Sequence, residues 1–380
     1  MGLFRKKREA TAECAAVQTG RPRRLPFEAD DTAPCPAQHR LYYALREAVP
    51  VIDAAVLKLV RLTGGFDVDC GGGEAQAALD GFLQNVSVGG SQRGIEAFIS
   101  TYFEQLLTCG TAVGELVLDA QGRPAALYNA RLEDIELRRA ADGLGAEVCV
   151  RGAGAAEPVR CPQLIMLSVL NPLPGHLEGT SLLRGLPFVS GVLMKIYDAV
   201  GLNWERVGNV RFAVTYKPGS DAVDKAYAKD RAMQVAREWG EAMRAGGAVK
   251  DFVAAGDVQI KVIGADNQIL DSEVPARQML EQIVAKTGLP PFMLGLSWSS
   301  TERMSSQQAD ALTSELEAYR RVLTPVVDKI CALFLRLNGF TATARTVWRD
   351  ITLLDTVELA RAELYRAQAA QIGKKDGEAT

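Results

Sequence analysis

Residues 273–337 read EVPARQMLEQIVAKTGLPPFMLGLSWSSTERMSSQQADALTSELEAYRRVLTPVVDKICALFLRL, and their order of helix, rigid break, polar loop and long helix decides the fold. Ala276, Leu280, Ile283, Val284 and Thr287 share one face at helical spacing, and Gly288 is a natural helix stop. Pro290 and Pro291 each fix φ and lack a backbone donor, and the first drives Leu289 out of the helical region. The result is a stiff elbow. Beyond it, Gly295, Ser297, Ser299, Ser300 and Thr301 favour an exposed loop over a packed strand. From Glu302 onward Leu312, Leu316, Tyr319, Leu323, Val326, Ile330, Leu333 and Leu337 recur at threes and fours, so one face is buried for about nine turns. Pro325 bends this helix without ending it, because the stripe continues on both sides.

Upstream, VKDFVAAGDVQIKVIGADNQIL (residues 249–270) reads as two short strands about Gly256. Before it, residues 221–245 form a charged helix whose sparse apolar row is Val223, Tyr227, Val235, Trp239 and Met243, a rod of roughly 33 Å. Gly179, Thr180 and Ser181 open another amphipathic helix, with Thr180 or Ser181 as its cap and Pro187 as a kink. Between 111 and 170 the period shortens, and β-rich runs around the Asp119 to Gly122 turn predict a small antiparallel sheet or barrel. Earlier still the pattern is helical. Leu41, Leu45, Val49, Ile52, Val56 and Leu59 form one stripe, with Pro50 restarting the helix, and Ile95, Phe98, Ile99, Tyr102 and Leu106 form another. Residues 1–37 carry Arg5, Lys6, Lys7, Arg8, Arg21, Arg23 and Arg24 among Pro, Ala and Thr, the composition of a basic arm that cannot bury itself.

The chain has 380 residues, enough for two or three compact units, and its 48% hydrophobic and 23% charged content is that of a globular protein. A formal charge of -3 argues against holding nucleic acid by phosphate neutralisation. It does not exclude DNA passing through, since a conduit needs weak contact. Seven scattered Cys without a C-x-x-C pair and only two His, His39 and His176, give no metal site and no disulfide framework. No apolar run reaches the ~18 residues that span a bilayer. There is no phosphate-cradling loop, no nucleophile elbow and no zinc-protease helix, so no catalytic residue, cofactor or metal ligand is assigned. Glu133, Asp134 and Glu136 lie close together but read as solvent-facing.

The run GLPPFMLG, a short polar loop and then SSQQADALTSELEAYRRVLTPVVDKI resembles the corresponding segment of tailed-bacteriophage portal proteins. In that family a glycine-aliphatic-proline-proline turn opens the loop lining the DNA channel, and a long wing helix follows. Gly179, Ser181, Leu183 and Arg184 likewise resemble the family's G-x-S-x-L-R. The resemblance implies an α+β portal fold of the long-tailed phage type and sets the boundaries as follows. Residues 1–37 are the arm, 38–220 the wing, 221–245 a stem helix, 246–270 the clip and 271–288 the second stem helix. Residues 289–303 are the channel loop, 304–354 the long wing helix and a strand, and 355–380 a short crown-like helix and tail. Gly288, Pro290, Pro291 and Gly295 would form the loop elbow. Leu296, Ser297, Trp298, Ser299, Ser300, Thr301, Glu302 and Arg303 would face DNA, with Trp298 either narrowing the channel or folding back on Met293 and Leu296. Phe252, Val253, Asp257, Gln259 and Lys261 would be the clip residues facing the motor.

The implied partners are other copies in a homo-oligomeric ring (a dodecamer), the large terminase subunit, the major capsid or scaffold protein, a head-tail connector (adaptor) protein and double-stranded DNA. No membrane is involved. The implied location is the portal vertex of a virion, with assembly in the host cytoplasm. Two other readings stay open: a soluble enzyme or small-ligand-binding protein built on the middle β region, and a non-portal phage assembly scaffold.

Overall fold

Pro50 divides the first helical run, because at the first position of a helix its missing N–H has no partner to lose. The chain forms α1 (Ala37–Ala48) and α2 (Pro50–Leu62), with Val49 as an extended link. The computed structural model describes residues 37–152, 154–208, 211–216, 221–244, 258–263, 272–296 and 302–351. After α2 come β1 (Phe66–Asp69), α3 (Gly73–Asn85), β2 (Ser87–Val88), β3 (Gln92–Arg93) and α4 (Ile95–Cys109). Phe98, Tyr102, Phe103, Leu106 and Leu107 make α4 the core helix, all essentially inaccessible. Each such side chain contributes about 1.5–3 kcal/mol relative to exposure.

The middle of the chain gives β4 (Thr111–Leu118), β5 (Pro124–Asn129), β6 (Ile135–Arg139), β7 (Ala146–Val150), β8 (Glu157–Pro158) and β9 (Ile165–Val169). These do not form the single antiparallel sheet or barrel that residues 111–170 predict. One sheet has the order β3-β2-β5-β4-β9, takes in strands from before α4, and pairs β2 with β5 in parallel. The other is β6-β7-β8. β4 packs on α4 and, being central, is buried from Thr111 to Val117 rather than alternating.

The remaining elements are α5 (Leu186–Gly208), β10 (Arg211–Tyr216), α6 (Ala222–Arg244), β11 (Val258–Ile263), α7 (Glu273–Thr287), α8 (Glu302–Leu337) and β12 (Arg345–Trp348). The chain divides into two compact units, Met1–Ser190 with Glu281–Thr380, and Gly191–Leu280. In the second unit β10 and β11 pair antiparallel from Arg211↔Ile263 to Tyr216↔Val258, and α6 packs on β10. The charged helix is therefore enclosed between two paired strands. The sequence reading placed both strands after it, about Gly256, a position outside the described residues.

In the first unit α8 is the longest element, at 36 residues, and Pro325 lies inside it as expected. Leu312, Leu316, Leu323, Val326 and Ile330 are buried, and beyond Ile330 the buried face passes to Cys331, Phe334 and Leu335. Leu337, at the end of this long helix, ends up exposed because an α-helix turns away from its stripe over many residues; Leu41, near the start of the short α1, is exposed as well. Phe334 stacks on Phe82 of α3 at 4.3 Å between ring centres, and Tyr319 meets Phe103 of α4 at 5.2 Å. β12 returns to pair with β1, Phe66 opposite Trp348, an association with no signature in the sequence.

Candidate functional site

The elbow after α7 is built as the twin prolines require. Thr287 is buried, Gly288 takes φ +69 and donates to the Val284 carbonyl at 3.0 Å, which is a left-handed helix stop. Leu289 and Pro290 are buried, and Pro291–Leu294 form one tight 3-10 turn. That turn packs on α2. Gly295, at φ +77, ends it, and the Leu296 N–H returns to the Pro291 carbonyl at 3.0 Å. Leu296 is half-buried and Phe292 half-exposed. The base of the loop is thus fixed to the wall of the first unit, and the chain leaves it at a defined point.

Of the residues assigned to the loop, Ser297, Trp298, Ser299, Ser300 and Thr301 lie outside the described residues, and Glu302 and Arg303 are placed as the first turn of α8. Among the clip residues Gln259 and Lys261 lie on β11, opposite Thr215 and Ala213. Phe252, Val253 and Asp257 lie outside the described residues, as do residues 352–380 and the arm up to residue 36.

The G-x-S-x-L-R motif has a role that an N-cap reading misses. Helix α5 starts only at Leu186, so neither Thr180 nor Ser181 caps it, and Pro187 stands in its first turn instead of kinking it. Residues 179–183 instead cross the end of α4 and the start of β4. The Ser181 hydroxyl donates to the Thr108 carbonyl at 2.6 Å, and the Leu182 N–H donates to the Leu107 carbonyl at 3.0 Å. Thr180 N–H donates to Leu170 at 2.6 Å and Gly179 N–H to the Thr111 hydroxyl at 3.0 Å. The crossing is tight: a Cβ on Gly179 would stand 1.8 Å from the Gly110 carbonyl oxygen. This latch roots the residues that lead into α5.

Two buried arginines fix the helices around the elbow, and neither was singled out by the sequence. Arg46, 8% exposed, reaches Asp53 at 2.7 Å, Glu104 at 2.7 Å and the Thr108 hydroxyl at 3.0 Å, tying α1 to α2 and α4. Burial opposes its charge, but the two carboxylates outweigh it and its pKa lies above the ordinary value. Arg320 of α8 donates twice to the Thr63 carbonyl, at 2.9 and 2.7 Å, and stacks over Trp348, whose indole N–H donates to Thr324. Burial pulls the Arg320 pKa down. Each arginine recognises groups far away in sequence, which no local spacing announces.

The acidic trio is partly shielded and paired: Glu133 and Asp134 with Arg131, Glu136 with Arg138. Among the described residues no group of three or more His, Cys, Asp or Glu comes together, and no helix is long and apolar enough to cross a membrane.

No protein-family model matches the chain, and no curated protein matches it in sequence. Solved structures do match. A chain of the neck of a native gene transfer agent (GTA) particle, computed with C12 symmetry, aligns over 94% of this chain and 92% of its own, with 19% identity and a TM-score of 0.59. A chain of the native GTA virion aligns over 87% and 89%, with 17% identity and a TM-score of 0.60. An HK97-family phage portal protein from Corynebacterium diphtheriae aligns over 79% and 92%, with 13% identity and a TM-score of 0.41. The chain has the α+β fold of the GTA neck and virion chains.

Proposed function

We propose that this chain is a portal protein: a closed homo-oligomeric ring, a dodecamer, at a capsid vertex, through which double-stranded DNA is packaged and ejected. The observation that carries this reading is the near full-length likeness to a chain from a C12-symmetric particle neck. The elbow supports it, since a loop leaving a rigid, wall-anchored base is what a ring needs to present identical segments toward a shared axis.

The second unit supports a revised stem and clip assignment. The order rod, β excursion, rod, loop would be met with α5 and α7 as the two rods and β10-α6-β11 as the clip between them, as an alternative to a stem at 221–245. Gln259 and Lys261 then sit on a clip strand, where the large terminase subunit and later the head-tail connector would dock, while the first unit would meet the capsid. Leu296 to Arg303 form the channel loop, with Trp298 and Leu296 as its narrowing residues. The terminase supplies the energy of packaging, and this chain carries out no reaction.

Mass by light scattering with negative-stain imaging tests the ring. The expected particle is an annulus of roughly twelve times 41.0 kDa. A chain that stays monomeric at high concentration, alone and with its capsid protein, overturns the reading. The loop is tested separately by Trp298→Ala with Leu296→Ala, which should change DNA packaging or retention while rings still form. An unchanged yield of filled heads removes the channel-loop assignment.

A further inference from the structure

Helix α8 runs alongside the β1–β12 pair and keeps step with it. Thr324 accepts from the Trp348 indole at 2.9 Å, and Trp348 stands opposite Phe66. One turn on, Asp328 accepts from the Thr346 amide at 3.1 Å and from its hydroxyl at 2.6 Å, and Thr346 stands opposite Val68. The next turn of α8 brings Cys331, and the next inward residue after Phe66 and Val68 is Cys70. A helix turn climbs about 5.4 Å and two strand residues about 6.6 Å, so the third step sets the two thiols at one level. Both residues are buried, Cys331 completely and Cys70 at 7% exposure, and both thiols are free. The Cys331 thiol feels Cys70 electrostatically, behind the larger effects of burial and Asp328.

Cys70 is held on one side and has room on the other. Gln76 of α3 accepts from the Cys70 amide at 2.9 Å and from its thiol at 3.2 Å, and its own amide donates to the Val68 carbonyl at 2.8 Å. Beyond Cys70 come Gly71, Gly72 and Gly73, all at positive φ and with no atom within 4 Å of where a side chain would begin. A disulfide holds its Cα atoms about 4.4–6.8 Å apart, and this glycine run supplies the backbone adjustment that closing to that range takes. Burial pushes the Cys331 thiol up to about 12 and the Cys70 thiol above its ordinary value. Neither sulfur is stabilised as a thiolate, so a bond between them forms slowly and, once made, resists reduction.

We propose that Cys70 and Cys331 form an oxidative cross-linking site, which ties the end of β1 to α8 when the chain meets a hydroperoxide. The Cys70 sulfur, the one of the two with any exposure, attacks the peroxide; the O–O bond breaks, and a sulfenic acid and one water result. The Cys331 sulfur then attacks the Cys70 sulfur, the S–O bond breaks, and the departing hydroxide leaves as water with the Cys331 proton. Two thiols and one peroxide become one disulfide and two waters. The bond joins residues near the two ends of the first unit, so it removes freedom chiefly from the unfolded chain. This does not depend on the conduit reading, because it concerns one chain and can be measured on a single subunit.

Treating the reduced full chain with hydrogen peroxide at about pH 8.5, where a larger share of thiol is ionised, and digesting it without reductant tests the site. The digest should contain a peptide joining Cys70 to Cys331, two hydrogens lighter than its two parts. The first unit of the oxidised chain should melt roughly 8 °C or more above the reduced one, and a reductant should return it to the starting value. Cys70→Ser should yield neither the joined peptide nor the shift on peroxide treatment. Cys70 oxidised to the sulfinic acid while Cys331 stays a thiol overturns the proposal, because the two sulfurs then do not meet. A bond from Cys70 to any other cysteine overturns it, as does a digest of the unaltered chain in which both thiols survive.

Discussion

Replacing Gly179 by Ala adds one methyl group at the crossing of the latch over α4. That carbon would lie 1.8 Å from the Gly110 carbonyl oxygen and 2.6 Å from the Leu170 nitrogen. The first contact is roughly 1.5 Å closer than a relaxed carbon–oxygen approach. Both neighbours are backbone, so no side chain can swing aside, and Gly179 itself has no positive φ to add strain. The segment must lift, and the hydrogen bonds from Gly179, Thr180 and Ser181 lengthen together. Three bonds at about 1 kcal/mol each, with about 1 kcal/mol of residual strain, give a loss of about 4 kcal/mol. In calorimetry the unit holding the latch should melt roughly 8 °C lower or more. Gly81→Ala is the matched control. It lies in α3 with nothing within 4 Å of the new carbon, so it should gain about 0.5–1 kcal/mol. If Gly179→Ala melts within about 1 °C of the unaltered chain, the latch is not the tight crossing described and the reasoning fails.

Arg46→Ala leaves Asp53 and Glu104 facing each other without their shared cation. Because both are a third or more exposed and solvent screens them, the expected loss is about 1–3 kcal/mol, read by denaturant titration. Gly288→Ala meets no atom within 4 Å, so its cost is left-handed strain alone, about 1 kcal/mol; a loss above about 3 kcal/mol would contradict an open elbow. His39 responds to pH. Burial, ahead of the opposing pull of Glu178, depresses its pKa below the ordinary 6.5, so the unfolded chain takes up a proton that the folded chain refuses. Its contribution to stability is complete above pH 6.5 and drains away as pH falls through the window beneath. His39→Gln should flatten the fall in stability between pH 7 and 5, and an unaltered slope refutes the assignment.

Long amphipathic elements were legible because their period is written out many times over. The α8 stripe as far as Ile330, the Pro50 restart and the helix stop and turn at Gly288 and Pro290 are met in the structure. Pairing was not legible. β2 and β3 have two residues each, too few to show alternation, and β10 finds β11 across the whole of α6. The G-x-S-x-L-R segment misled as a helix cap because a serine before a helix is locally plausible. Its true acceptor, the Thr108 carbonyl, lies 73 positions away. The same limit hid Arg46 and Arg320, whose partners are set by packing. For the loop, its rigid base could be read from Pro290 and Pro291, which act on their own backbone.

The pairing of β1 with β12 has a consequence for synthesis. Asp67 and Arg349, which meet at 2.8 Å, stand 282 positions apart. A chain emerging from the ribosome N-terminus first exposes Phe66 and Val68 early and can cover them only once Trp348 has been made. The second unit, Gly191–Leu280, has every residue of its own in hand well before that. Translation therefore finishes the inserted unit first and closes the outer one last, so a chain cut short before Arg345 is left with an open seam that marks it as incomplete before any assembly begins.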